Sequence, residues 1–401
     1  MKKIAQKLGK KKIIYMAAMA VLLIAAVACF IGIHSLSLIL PSQHEAERWQ
    51  GTSEKSYAQV SCFIPADETV TLSQIGAFRE EMAKKLHEAA LDIDNTDILT
   101  ADAWSCVNKV SVSSALGSAD VYATAVGGDF FAFHPITLIS GSYITSSDLM
   151  QDRALLDEDT AWLLFGSTDI QGLTFRINGV QFTVAGVIER EQDFASRLAY
   201  TDGMGIFISY DAWSDLAAGT GIAAADTVPD ESGGSSGSDV SSPGSSGIQC
   251  YEVVMPEPVK GYAQGVVKEK FPIGRGEIVT NTSRFELSSL WKLLKTAGTR
   301  SMQTRGVIYP YWENAARCVE DRAMLLLVLG IAALVLPVST AAVLAVKYAA
   351  VGKRKLDDEL IPRWKDSVQE AIRVRERARW EKKYGGAKKN VEKTENGQSA
   401  E

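Results

Sequence analysis

The stretch "LLFGSTDIQGLTFRINGVQFTVAGV", residues 163–187, decides how the middle of this chain folds. Gly166 stands where a short helix needs a C-terminal residue of positive φ, which glycine adopts without steric cost. After it, Leu173, Phe175 and Ile177 alternate with Thr174, Arg176 and Asn178, the period of a half-buried strand. Asn178-Gly179 is the strongest two-residue hairpin signal, and Phe182, Val184 and Val187 lie on the returning strand. Gly186 within that strand predicts a bulge or a close backbone approach. Helix, stop and hairpin account for the whole stretch, and no catalytic side chain lies in it.

Working outward, "RALLDEDTAWLLFG" reads as a strand entering the helix that Gly166 ends, while "YAQVSCFI", "VNKVSVSS", "DVYATAVGG", "MGIFISY", "CYEVVMP" and "EIVTN" read as further strands. "TLSQIGAFREEMAKKLHEAAL" opens on a Thr71/Gln74 capping box, and Leu72, Ile75, Phe78, Met82 and Leu86 form its apolar stripe. "DAWSDLA" and "VKGYAQGVVKEKF" read as helices, and Thr145 with Asp148 predicts the cap of another short one. Residues 222–249 are mostly Gly, Ser, Ala, Asp and Pro. Such a composition buries too little to offset chain entropy and reads as a disordered loop. The expectation is an α+β domain with a long insertion.

Two blocks carry no charged residue: Ile13 to Leu40 and Ala323 to Val346. Each exceeds the roughly 20 apolar residues that cross a bilayer. Residues 1–12 hold six lysines and no acid, residues 41–322 hold 21 basic and 38 acidic residues, and residues 347–401 hold 15 basic and 10 acidic. Basic flanks stay in the cytoplasm. The chain therefore divides into a cytoplasmic N-terminus (1–12), a first transmembrane helix (13–40), an acidic extracytoplasmic domain (41–322), a second transmembrane helix (323–346) and a cytoplasmic basic tail (347–401). A cleaved signal peptide has a shorter apolar run than the first block. A lipoprotein reading at Cys29 fails because apolar sequence continues beyond it. "SQHEAERWQGTSEKS" extends the first span as a stalk, residues 312–322 form a polar stalk above the second, and Pro337 predicts a kink.

In the tail, "IPRWKDSVQEAIRVRERARW" aligns Ile361, Trp364, Val368 and Ile372, with Arg373, Arg375, Arg377 and Arg379 adding basic surface. A helix docked on anionic lipid or a cytoplasmic partner fits this pattern, as does an ordinary solvated helix. The last dozen residues read as disordered.

Catalytic patterns do not surface. The four histidines are His34, His44, His87 and His134; "HEAER" at 44–48 lacks the second histidine of a zinc helix, and no phosphate-cradling glycine loop occurs. His134 reads as packed or surface-exposed, with no metal. No carboxylate pair is singled out as a dyad, and the acidic large domain argues against nucleic acid. Of the five cysteines, Cys62 and Cys106 are the pair an oxidising exterior would permit to bridge, against free buried thiols as the favoured state.

The residues Asp157, Ala161, Leu164, Phe165, Gly166, Asp169, Ile170, Gly172, Ile177, Gly179, Phe182, Val184, Gly186 and Val187, with Gly141, Ile144 and Asp148 upstream, resemble the MacB-like periplasmic core domain. That domain occurs in ABC-transporter permeases of the MacB/FtsX type, and the resemblance covers about residues 13–285. It implies a non-enzymatic, permease-like subunit without a cofactor of its own, passing ATP-driven motion from a separate cytoplasmic ATPase to the outer domain. Partners would be that ATPase, membrane lipids and a full-length permease. The single apolar block after the domain departs from the family's usual three. That departure keeps a second reading open: a membrane scaffold or sensor whose outer domain binds an envelope partner.

Overall fold

The computed structural model describes residues 2–51, 55–89, 91, 100–200, 204–219, 247–300, 307–355 and 360–395. These fall into two compact units, residues 28–329 and residues 1–27 with 330–401.

The larger unit is built on one ten-stranded mixed sheet. Its strands are β1 (Tyr57–Phe63), β2 (Ala101–Ser113), β3 (Ser118–Gly128), β4 (Leu138–Gly141), β5 (Arg153–Asp157), β6 (Thr174–Ile177), β7 (Val180–Ile188), β8 (Gly205–Ser209), β9 (Cys250–Pro256) and β10 (Glu277–Thr280). They lie in the order β10-β1-β9-β2-β3-β8-β5-β7-β4, with β6 pairing β2 and β7. The helices are α1 (Lys2–Ser37), α2 (Glu45–Gln50), α3 (Leu72–Glu88), α4 (Phe130–Phe133), α5 (Glu158–Phe165), α6 (Phe194–Ala199), α7 (Tyr210–Ala218), α8 (Tyr262–Lys270), α9 (Leu287–Arg300), α10 (Tyr311–Lys355) and α11 (Ile361–Glu395).

The opening stretch folds as its sequence predicts except at Leu173, which lies just before β6 and is exposed while Phe175 and Ile177 are buried. Asp157 caps α5 through the Thr160 N–H, and Gly166 ends it with φ 69°. Asn178 and Gly179 both take positive φ, 48° and 86°, which matches the twist of the two strands they join. Gly186 sits beside a register shift between β5 and β7. A Cβ there would lie 2.4 Å from the Ser140 carbonyl oxygen, so the close backbone approach is real. The capping box of α3 forms in full, and Ile75, Phe78, Met82 and Leu86 are buried, while Leu72 is exposed.

Each face of the sheet carries its own core. On one, α3, α5, α7 and α8 pack over residues such as Val60, Val110 and Val253. Phe78 meets Tyr251 and Phe271 edge-on there, at 5.8 and 5.2 Å between ring centroids. Full burial of such side chains stabilises by roughly 1.5–3 kcal/mol each. On the other face lie Ala46, Phe130, Phe133, Val307 and Trp312. Strands β1 and β9 are buried along their whole length, so both faces are covered and polar residues in them must find partners.

Several expectations change. The segment after the first apolar block is no extension of α1. Leu40 is extended, Pro41 opens a 3-10 turn, and Ser42, Gln43, Glu45 and Ala46 are buried. Proline cannot continue the i→i−4 ladder and holds its predecessor extended. Thr145 and Asp148 do bond to each other, the Thr145 hydroxyl to Oδ1 at 3.0 Å, but they close a turn and cap no helix. Most of the expected 222–249 loop lies outside the described residues. Its last residues belong to the fold: Ile248 is buried, and the Gln249 N–H donates to the Ser105 carbonyl at 3.0 Å. Cys62 and Cys106 are free thiols. Strand β9 runs between β1 and β2, which sets their backbones about two strand spacings apart and beyond disulfide reach.

Among the described residues, Ile13–Ser37 and Tyr311–Val351 are long and apolar enough to cross a membrane. The basic segment before the first is helical from Lys2. Pro337 lies inside α10, which continues through it, while the Thr340 hydroxyl donates to the Leu336 carbonyl at 2.8 Å. Of the last dozen residues, 390–395 belong to α11 and the remainder lie outside the described residues.

Candidate functional site

The chemistry of the larger unit concentrates where the first turns of α10 meet the sheet. Residues 312–322 are no bare stalk: Trp312, Glu313, Ala315, Ala316, Val319 and Glu320 are all buried. Glu313 and Glu320 stand two helical turns apart on one face, and both point at Arg284, which follows β10. Its guanidinium grips Glu313 with both Nη atoms, at 2.6 and 2.8 Å, and Glu320 through Nε at 2.6 Å. A third element joins through Gln43, whose Oε1 accepts from Arg284 Nη1 at 3.2 Å. One buried cation therefore ties the segment after α1, the segment after β10 and α10.

The network extends outward. Arg317 donates to Glu313 at 2.7 Å and to Glu277 at 2.9 Å, and its guanidinium lies 3.7 Å over the Tyr309 ring. Burial opposes charge on Arg284, but Glu313 and Glu320 outweigh it and hold the guanidinium protonated above its ordinary value. Burial likewise opposes charge on Glu277, and the Tyr309 hydroxyl with Arg317 pulls it below the usual carboxylate range.

A second polar cluster lies beneath Trp312. Because strand side chains alternate, Gln59 and Ser61 of β1 and Glu252 of β9 share the face opposite the α3 core. His134 Nε2 bonds Glu252 at 2.5 Å, and the Ser61 hydroxyl donates to Glu252 at 2.8 Å. The His134 ring lies 4.5 Å from both the Phe130 and Trp312 rings. Of the packed and surface-exposed roles left open for it by the sequence, the packed one is the one it has. Gln59 receives the Glu45 N–H at 3.1 Å and donates to the Ser42 carbonyl at 2.8 Å. Arg48 adds bonds to Glu45 and to the Ala132 carbonyl.

Apolar packing completes the joint. Ala315, Ala316 and Val319 lie against Leu40 and Ala195, and Leu290, Ala323 and Leu327 against Ile33. Tyr311 stacks on Tyr200 at 4.3 Å, and both hydroxyls donate to Glu191. Beside them a cleft of about 520 Å³ opens between β2, β3 and β8 and the 308–311 strap.

The residues singled out by sequence lie elsewhere. Asp157 is a buried staple, accepting from the Thr160 N–H at 2.7 Å, the Gly205 N–H at 2.6 Å and Arg190 Nε at 2.9 Å. Ala161, Leu164, Ile170, Phe182, Val184 and Val187 fill the core. Gly172 and Gly179 turn the chain at positive φ, and the Asp169 N–H donates to the Ser167 hydroxyl. Sequence reading missed the joint. Its only local sign was two glutamates seven apart in a helix otherwise bound for the membrane, and Arg284 carried no sign at all. Among the described residues no group of acidic, histidine and cysteine side chains is arranged to hold a metal ion.

Residues 16–231 match the MacB-like periplasmic core domain. The chain belongs to that family. The MacB-like match starts inside α1 and stops before β9, so the interior strand β9 and the α10 side of the joint lie beyond it. No curated protein matches the chain. Solved structures similar to it include the extracellular domain of the noncanonic ABC-type transporter YknZ from Gram-positive bacteria. That likeness has 12% identity and a TM-score of 0.33, covering 54% of this chain and 92% of that one. The periplasmic region of MacB from Actinobacillus actinomycetemcomitans gives 12% identity and a TM-score of 0.35, over 61% and 94%. A domain of a putative permease protein from Porphyromonas gingivalis gives 11% and 0.28, over 56% and 88%. The family's members are ABC-transporter components, and this one is membrane-associated, with two candidate spans.

Proposed function

We propose that this MacB-like chain is a permease-like subunit that passes ATP-driven motion from a separate cytoplasmic ATPase to an outer domain. The observation that supports it is α10: one helix contains the second apolar block and, at its start, the face that Arg284 clamps. A lever needs a stiff arm and a fixed attachment, and charge-assisted, bidentate bonds give the attachment a defined geometry. Basic residues flanking both apolar blocks support a topology with both termini in the cytoplasm and the acidic domain outside. ATP is consumed by the partner, and the chain itself catalyses nothing.

Purification of the full chain from native membranes tests this reading. An ABC ATPase should copurify, and substitution of Arg284 by Met should uncouple its ATP turnover from transport while leaving the complex assembled. A chain recovered as a monomer or homodimer free of any ATPase would overturn the reading in favour of a scaffold or sensor.

A further inference from the structure

Helix α11 holds an ordered pattern that its composition hides. Ile361, Trp364, Val368, Ile372, Arg375, Arg379 and Lys382 follow one another at spacings of three and four, and so form a single stripe along the helix. Its first three turns are apolar and exposed: Trp364 is 67% and Ile372 50% accessible. Its next turns are basic. Arg373 and Arg377 sit two residues from Arg375 and Arg379, hence on the opposite side, in line with Asp366 and Glu370. The four arginines are not one basic surface; they divide between two faces.

We propose that α11 lies on an anionic lipid surface through this one stripe, with Ile361, Trp364, Val368 and Ile372 in the headgroup–acyl boundary and Arg375, Arg379 and Lys382 on lipid phosphates. Three observations favour lipid over a protein groove. Tryptophan beside short aliphatic residues is the composition of interfacial helices. Arginine and lysine continue the apolar line without a gap, so their stems rest on the boundary while the charges reach phosphate. The helix begins six residues after the end of α10, which carries the apolar block, so the bilayer is always within reach. The proposal rests on α10 as a membrane span and does not depend on coupling to an ATPase.

The full chain, with Cys29 and Cys318 replaced by Ser, is reconstituted in vesicles of phosphatidylcholine alone or with phosphatidylglycerol. A spin label is placed at Val368→Cys or, as a span control, at Leu344→Cys. In anionic vesicles the Val368→Cys label should be more accessible to oxygen than to a water-soluble nickel chelate, and high salt should reverse this. R375Q/R379Q should lower the ratio of docked to free helix about 25-fold, fivefold per charge. R373Q/R377Q removes the same charge from the far side, roughly a helix diameter and one Debye length from the phosphates, and should lower it less than threefold. Equal effects of the two pairs, or an aqueous Val368→Cys label beside a lipid-exposed Leu344→Cys label, would overturn the stripe and point to a protein partner. An aqueous Leu344→Cys label would remove the span itself, and the proposal with it.

Discussion

Arg284 and Glu313 form a two-pronged pair, 2.6 and 2.8 Å long, and both side chains are almost wholly buried. Removing one partner of such a pair strands a charge away from water, which costs about 3–5 kcal/mol. Arg284→Met should lower the stability of the full chain by that amount. Neutralising the carboxylates as well, in R284M/E313Q/E320Q, should restore more than half, because the loss comes from the uncompensated charges. Denaturation midpoints of the single and triple variants decide this. A triple variant no more stable than the single would mean that the pair itself, and not the stranded charge, carries the energy.

Gln59 performs a local task. Its side chain satisfies one backbone donor and one backbone acceptor in the segment after α1, at Glu45 and Ser42. Leucine of similar size would leave both unpaired inside the protein, at about 1–3 kcal/mol each. Gln59→Leu should therefore raise amide exchange at Glu45 and through α2 by at least tenfold, while amides in β8 keep their protection. Uniform loss across the sheet would show that this segment and the core open as one unit.

The two glycines of the deciding stretch separate two kinds of backbone constraint. Gly179 has open space around a Cβ but a φ of 86°, whereas a Cβ on Gly186 would lie 2.4 Å from a backbone oxygen. Gly179→Ala should cost about 1–3 kcal/mol of strain. Gly186→Ala must displace β4 from β7 and should cost more, with a visible change in the amide spectrum of residues 138–141. Chemical denaturation of both variants gives the order, and Gly179→Ala proving the worse would contradict it.

Local signals carried the parts of the fold that local physics governs. The capping box at Thr71, the Asn178-Gly179 turn and the stop at Gly166 each act over four residues or fewer, so the sequence displays them complete. The short β4 and α6 lacked a full period of apolar residues and were not foreseen. The joint was invisible for a different reason. Arg284, Glu313, Gln43 and Glu252 gain their meaning from topology, because β9 inserts between β1 and β2 and brings β1's inward face under α10. Polar residues at 312–322 looked solvated because partners far away in sequence could not be seen. The proline at 41 was in view, but its consequence, a chain folded back onto β1, needed Gln59 as well.

The cysteines give a pH-dependent prediction. Burial pushes the Cys106 thiol up to about 12, and the Cys62 and Cys250 thiols rise for the same reason. A thiol in the unfolded chain ionises near about 8.5. Since each folded value lies above the unfolded one, the contribution of neutral thiols to stability is full below about pH 8.5. It falls as pH rises from there towards 12, because only the unfolded chain can release the protons. By pH 10 this amounts to about 2 kcal/mol per thiol. Buried tyrosines, among them Tyr200, Tyr210, Tyr251 and Tyr309, are raised in the same direction, and free tyrosine ionises near about 10, so the window from about 8.5 to about 9 belongs mainly to the thiols. The denaturation midpoint should be flat from pH 7 to about 8 and decline above it, and C62A/C106A/C250A should remove most of the slope up to about pH 9. Maleimide labelling without reductant should reach these three cysteines only after unfolding, and then all three. A Cys62–Cys106 bridge would hold two of them back until a reductant is added, and that result would contradict the strand order.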